Sequence, residues 1–99
     1  EYLDINLIRY QLAQAYFAIE TWDEGLATIN TVKGKLLGDW KIYSLKAQAH
    51  LKLGNKETAR GEYLTAVSLI NLNDEAMPEY FRDLGFQLGV LEESVEEPE

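Results

Sequence analysis

Residues 43–66, YSLKAQAHLKLGNKETARGEYLTA, have the form of two amphipathic helices joined by a tight turn at Gly54-Asn55. The same frame occurs 34 residues earlier. Leu12, Ala13 and Tyr16 fall opposite Lys46, Ala47 and His50, and Glu20-Thr21 fall opposite Gly54-Asn55. Gly25, Ile29 and Val32 fall opposite Ala59, Tyr63 and Ala66. Unrelated amphipathic helices agree in phase easily, but seldom agree in turn position and capping residue as well. Each helix pair of this kind leaves an apolar face that the next pair covers, so the repetition predicts a stack.

A large residue, a small one and an aromatic at Tyr43, Ala47 and His50, followed by Ala59, Tyr63 and Ala66, resemble the tetratricopeptide repeat. The resemblance implies an all-α fold: a right-handed stack of two helical hairpins, over about 6–39 and 40–73, closed by a capping helix over about 74–91. The sequence departs from the pattern in places. Lys46 stands where leucine is usual, so its stem should pack while its ammonium reaches water. Trp40 opens its helix ahead of Tyr43, and Glu20 replaces a turn glycine. Gly25 replaces alanine, which lets two helices approach at a cost near ~1 kcal/mol in helix propensity.

In chain order, Asp4 is expected to cap a helix over 4–20 whose buried stripe is Ile5, Ile8, Leu12, Ala13, Tyr16 and Ile19. Leu7, Tyr10, Gln14 and Phe17 lie on an adjoining face, which calls for a second packing surface. Thr21 and Glu24 form a capping box for a helix reaching about Lys33, with Trp22, Leu26, Ile29 and Val32 inward. The glycine-bearing loop 33–39 ends at Asp39, a cap for a third helix over 40–53. Gly54 suits the left-handed position past that helix. Asn55 should cap a fourth helix to about Asn71, and a fifth should run from 74 or 75 to 91 with Pro78 in its first turn. Met77, Phe81, Leu84 and Leu88 would close the downstream end, leaving an exposed apolar patch on the first helix pair. The eight residues 92–99 are expected to be a disordered acidic tail.

The net charge of −8 is unevenly spread: residues 33–60 carry +5, while the segments on either side are acidic. Overall acidity argues against nucleic acid as partner. With no cysteine there is no disulfide, thiolate metal site or cysteine nucleophile. No run approaches the ~20 apolar residues of a membrane span, and no signal peptide is visible. A chain opening at Glu1 without methionine is expected to be a mature or excised piece of something longer.

The whole chain further resembles the periplasmic repeat domain of the YfgM-like ancillary subunit of the bacterial SecYEG translocon. The resemblance runs through LIRYQLAQAYFAIETWDEGLATINTVKG, GDW, LKAQAHLKLGNKETARGEYLTA and PEYFRDLGFQLGVL. The GDW loop and the proline-started last helix are its more specific parts. It implies an N-terminal membrane anchor beyond this chain, a domain facing the periplasm, association with the translocon and a chaperone-like partner, and assistance to exported proteins.

No catalytic set emerges, so the chain is expected not to be an enzyme and to need no cofactor or metal. His50, the single histidine, replaces a buried aromatic of the repeat and belongs near the core. The concave face would be lined by Leu7, Tyr10, Gln14 and Phe17, then Lys41, Ser44, Gln48, Leu51 and Lys52, then Arg82 and Phe86. The paired lysine and asparagine that clamp a chain-end carboxylate elsewhere in the superfamily are replaced by Tyr10-Gln14 and Ser44-Gln48. A mixed aromatic and amide surface suits extended, partly apolar protein segments. The plainer alternative has Tyr10 and Phe17 packing against a missing upstream helix. The basic stretch 41–60 is either an attractor for an acidic partner or a solvated surface. Self-association through the open upstream end is the remaining alternative.

Overall fold

A computed structural model describes residues 4–91; the expected acidic tail 92–99 and residues 1–3 lie outside the described residues. The fold is all-α: α1 (Ile5–Ala18), α2 (Trp22–Ile29), a 3-10 helix (Gly34–Gly38), α3 (Trp40–Lys52), α4 (Lys56–Leu72) and α5 (Glu79–Leu88). No strand occurs among the described residues. α1 packs on α2 and α3 on α4, α2 touches α3, and α5 lies against α4 and α3.

The repetition seen in the sequence recurs bond for bond in the turns. Thr21 N–H donates to Tyr16 C=O at 3.0 Å, and Asn55 N–H, 34 positions on, donates to His50 C=O at 2.8 Å. Glu20 N–H reaches Phe17 C=O at 3.0 Å, and Gly54 N–H reaches Leu51 C=O at 3.1 Å. Both are Schellman turns, which satisfy carbonyls that a helix end leaves free. Each needs one residue in the left-handed region: Gly54 at φ 86°, and Glu20, against its side chain's preference, at φ 62°. Burial follows the same frame. Ala13, Ala47, Ala59 and Ile29 with its counterpart Tyr63 are all at 0 % exposure, and Tyr16 and His50 are both half-buried.

Asp4 caps α1 as expected, accepting from the N–H groups of Asn6 and Leu7 at 3.1 and 3.2 Å. Asp39 likewise caps α3 by accepting from Lys41 N–H at 3.0 Å. Thr21 and Asn55 open their helices without a side-chain cap, so the expected capping box is absent. The Thr21 hydroxyl turns back to donate to Tyr16 C=O at 3.0 Å, which joins it to the preceding turn instead. α2 stops at Ile29 rather than near Lys33. There the Thr31 hydroxyl takes Thr28 C=O at 2.6 Å, a side-chain competition that ends helices.

The fifth helix is also shorter than expected. Asp74 sits at φ 56° in a Schellman turn after α4, and α5 starts at Glu79 with Pro78 just outside it. Proline disfavours helical geometry at the residue before it, here Met77, so residues 74–77 form a link and not a first turn. The Trp40 indole N–H donates to Glu75 Oε1 at 3.1 Å and fastens that link to the start of α3.

Two apolar clusters make the core. Tyr10, Ala13 and Phe17 meet Leu26, Ile29 and Val32 in the first, with Ile42 and Ala49 of α3 completing it. Trp40, Ala47, Tyr63 and Ile70 meet Phe81, Leu84 and Leu88 in the second, and Tyr43 touches both. α5 is held by a Tyr63–Phe81 ring stack at 4.1 Å and by the Tyr63 hydroxyl donating to Phe81 C=O at 2.8 Å. Arg60 Nε donates to Leu88 C=O at 2.7 Å at the other end of α5. The side chain of Lys46 is half-buried, with Nζ 5.2 Å from the Tyr43 ring.

The buried face of α1 corrects the expected stripe. Tyr10, Ala13 and Phe17 are inside, while Ile5, Ile8, Leu12 and Ile19 are 49, 43, 47 and 69 % exposed. Residues of α2 and α3 cover the Ala13 side. The counterparts of Ile8 and Ala15 in the second hairpin, Ile42 and Ala49, are fully buried in the first cluster. The expected exposed apolar patch on the first hairpin is therefore present, on the outer side of α1.

Gly25 explains the burial of Phe17. A Cβ on Gly25 would run into the Phe17 ring. The equivalent pair in the second hairpin is Leu51 with Ala59, a smaller residue facing a methyl group. Gly25→Ala should therefore destabilise the fold by about 1–3 kcal/mol despite better helix propensity, an overpacking cost. Adding Phe17→Leu should recover most of the loss. Urea denaturation of the two single variants and the double variant checks the coupling.

Candidate protein-binding surface

Three of the helices, α1, α3 and α5, contribute to one face, largely at three- and four-residue spacing. α1 supplies Tyr10 and Gln14; α3 supplies Lys41, Ser44, Gln48, Leu51 and Lys52; α5 supplies Tyr80, Leu84 and Gln87. Tyr10, Gln14, Lys41, Ser44 and Leu45 line a cleft of about 340 Å³ with Gln48 and Tyr80. Gln48 and Tyr80 also line a second cleft of about 240 Å³ with Leu51, Lys52, Leu84 and Gln87. The shared residues make the two clefts one furrow across α1, α3 and α5. Drug-sized ligands occupy pockets of roughly 300–1,000 Å³. The larger cleft falls at the lower end of that range, and the furrow as a whole extends over three helices.

Seven of the residues expected on a concave face thus come together: Tyr10, Gln14, Lys41, Ser44, Gln48, Leu51 and Lys52. Four lie elsewhere. Phe17 is 7 % exposed and stacks on Trp22 at 5.9 Å, because Gly25 leaves room for it inside. Leu7 is 41 % exposed and outside both clefts. Arg82 is turned toward the link and donates to Met77 C=O at 3.3 Å. Phe86 is half-buried and lines neither cleft. The expected start at Asp74 or Glu75 puts Arg82 and Phe86 on the concave face. The start at Glu79 presents Tyr80, Leu84 and Gln87 to the furrow instead. Their spacing and Pro78 are the signals that could have found them; Leu45 carried none.

The furrow floor is dry in part and polar in part. Ser44 is 1 % exposed, and Gln48 Nε2 donates to its Oγ at 3.4 Å. Burial, aided by Asp39 and Tyr80, pushes the Tyr10 phenol up to about 12, above the ordinary phenol value. Tyr80 stacks on Trp40 at 6.4 Å, tying this wall of the furrow to the second cluster. Lys41 and Lys52 are exposed at its edges. Among the described residues, no group of three or more His, Asp or Glu side chains is placed to hold a metal. His50 Nδ1 is buried without a hydrogen-bond partner among the described residues. That leaves His50 as a poorly satisfied substitute for the aromatic that Tyr16 supplies in the first hairpin.

Comparison with protein-family models, with curated proteins and with solved structures returns no match. No helix among the described residues is long and apolar enough to cross a membrane.

Burial also raises the Tyr63 phenol to about 12. Well below pH 10 both phenols are neutral folded or unfolded, and their contribution to stability is complete. Between 10 and about 12 the unfolded chain ionises while Tyr10 and Tyr63 do not, so stability falls as pH rises through that window. Urea midpoints should drop there, less steeply in Tyr63→Phe when each variant is compared with its own neutral-pH value. Ultraviolet titration should show part of the phenolate absorbance appearing late.

Proposed function

We propose that this chain is a non-enzymatic protein-interaction module of the tetratricopeptide type. Its two hairpins and capping helix form a right-handed stack, and its furrow receives an extended segment of another protein. The observation that carries this reading is the continuity of the furrow through Gln48 and Tyr80. Repeat-equivalent positions, Tyr10-Gln14 and Ser44-Gln48, line it on neighbouring helices. Solenoids use such faces to bind other proteins. The sequence motifs extend the proposal: the domain faces the periplasm, belongs to a membrane-anchored protein of the YfgM-like type, and assists exported proteins beside the translocon. A photo-activatable side chain at Gln48 should crosslink translocon or periplasmic-chaperone components in bacterial envelope extracts. One at Thr58, on the exposed side of α4, should not. Equal labelling from both positions, or neither component from Gln48, refutes the reading.

The outer face of α1 favours a second reading, self-association within a larger scaffold. Ile5, Ile8, Leu12 and Ile19 are exposed there, whereas Ile42, the α3 counterpart of Ile8, is fully buried. Sedimentation at micromolar concentration should then show a dimer that Ile8→Glu with Leu12→Glu converts to monomer. A strict monomer in the parent chain removes this reading.

A further inference from the structure

We infer that the furrow selects an internal, extended segment carrying both aliphatic and acidic side chains. Gln14 and Gln48 hold its main chain, and Lys41 and Lys52 hold its carboxylates. The inference rests on the protein-interaction reading above and names the partner's chemistry.

A primary amide offers donors and an acceptor together, which is what the backbone of an unpaired extended chain requires. Gln14 and Gln48 occupy the same repeat position on α1 and α3, which are in contact. Packed helices lie about 8–10 Å apart, the rise of about three extended residues. Each glutamine can therefore serve a successive stretch of one chain. Between them and α5, Leu51, Leu84 and Tyr80 give an apolar wall for aliphatic side chains.

The charge comes from α3. Lys41 lines one cleft and Lys52 the other. Eleven helical positions put them about 16 Å apart along the axis, so they flank, one on each side, a chain that crosses α3 at Gln48. Neither Lys41 nor Lys52 is held in an ion pair among the described residues. Asp39 accepts from Lys41 N–H at 3.0 Å, and Glu75 accepts from the Trp40 indole at 3.1 Å. The ion pair found among the described residues, Arg60 with Glu57, lies outside the furrow. Residues 33–60 carry +5 in a chain of −8, so the basic charge is concentrated on the segment that includes α3.

The probes are two dye-labelled peptides, blocked at both ends so that no chain-end carboxylate takes part. One places two glutamates side by side, so that their side chains point to opposite edges of the extended chain, with leucines flanking them; the other puts lysines at those two positions. Fluorescence anisotropy with the full chain should show the glutamate peptide binding about tenfold or more tightly, with the gap closing as salt rises. Lys41→Glu with Lys52→Glu should reverse the order, and Gln14→Ala with Gln48→Ala should weaken both peptides alike. Equal binding of the two peptides in the parent chain overturns this inference and leaves the protein-interaction reading standing. Binding of neither overturns both. The salt series needs no variant, so it decides the charge claim even if a substituted chain misfolds.

Discussion

Where paired helices meet, the contact leaves room for a methyl group and little else. Ala13, Ala47, Ala59 and Ala66 are fully enclosed, and Gly25 takes the place of a further alanine. Close approach of this kind fixes the distance within each hairpin, and the matched turns fix where each second helix begins. α1 and α3 then present equivalent positions to the same side, and the furrow follows from that. One asymmetry between the hairpins is an exchange of volume. At Gly25 the missing methyl lets Phe17 sink into the core, while the methyl of Ala59 accompanies a half-buried Leu51 that lines the cleft. A single carbon on one helix thereby coincides with whether its neighbour's side chain lies in the core or lines the cleft.

α5 supplies the remaining wall, and it is held at several points. Phe81 stacks on Tyr63 and its carbonyl takes the Tyr63 hydroxyl, while Arg60 secures the Leu88 carbonyl. Gly85 belongs to the same contact, since a Cβ there would meet the Tyr63 hydroxyl and Leu91. Trp40 works from the opposite side, packing edge-on to Phe81 at 5.0 Å and bonding Glu75. The aromatic group that closes the core is thus also the group that sets the angle of the furrow.

Much of the fold was legible because its determinants are local. Asp4, Asp39 and Gly54 act within a few residues of themselves, and their roles in the structure match the sequence reading. The repeat frame was legible because turn and burial recur together. The buried side of α1 was not, since that helix is apolar on more than one face and periodicity cannot rank two faces. Only the positions of α2 and α3 decide it. The caps at Thr21 and Asn55 failed for a related reason: residue type allows a cap, but the hydroxyl of Thr21 found a nearer carbonyl. In the furrow, the α1 and α3 residues were readable from spacing, whereas Arg82 and Phe86 were misplaced by a helix start that Pro78 moves.

The division of the core into two clusters also has an optical side. Trp22 packs against one cluster and Trp40 belongs to the other, and the sequence has no third tryptophan. Each half of the molecule therefore holds its own fluorophore, with Tyr43 as a bridge between them. In a stack stabilised by neighbour contacts, the halves need not melt together. Replacing one indole at a time would let emission from the other report whether this chain unfolds as a single cooperative unit or frays from one end.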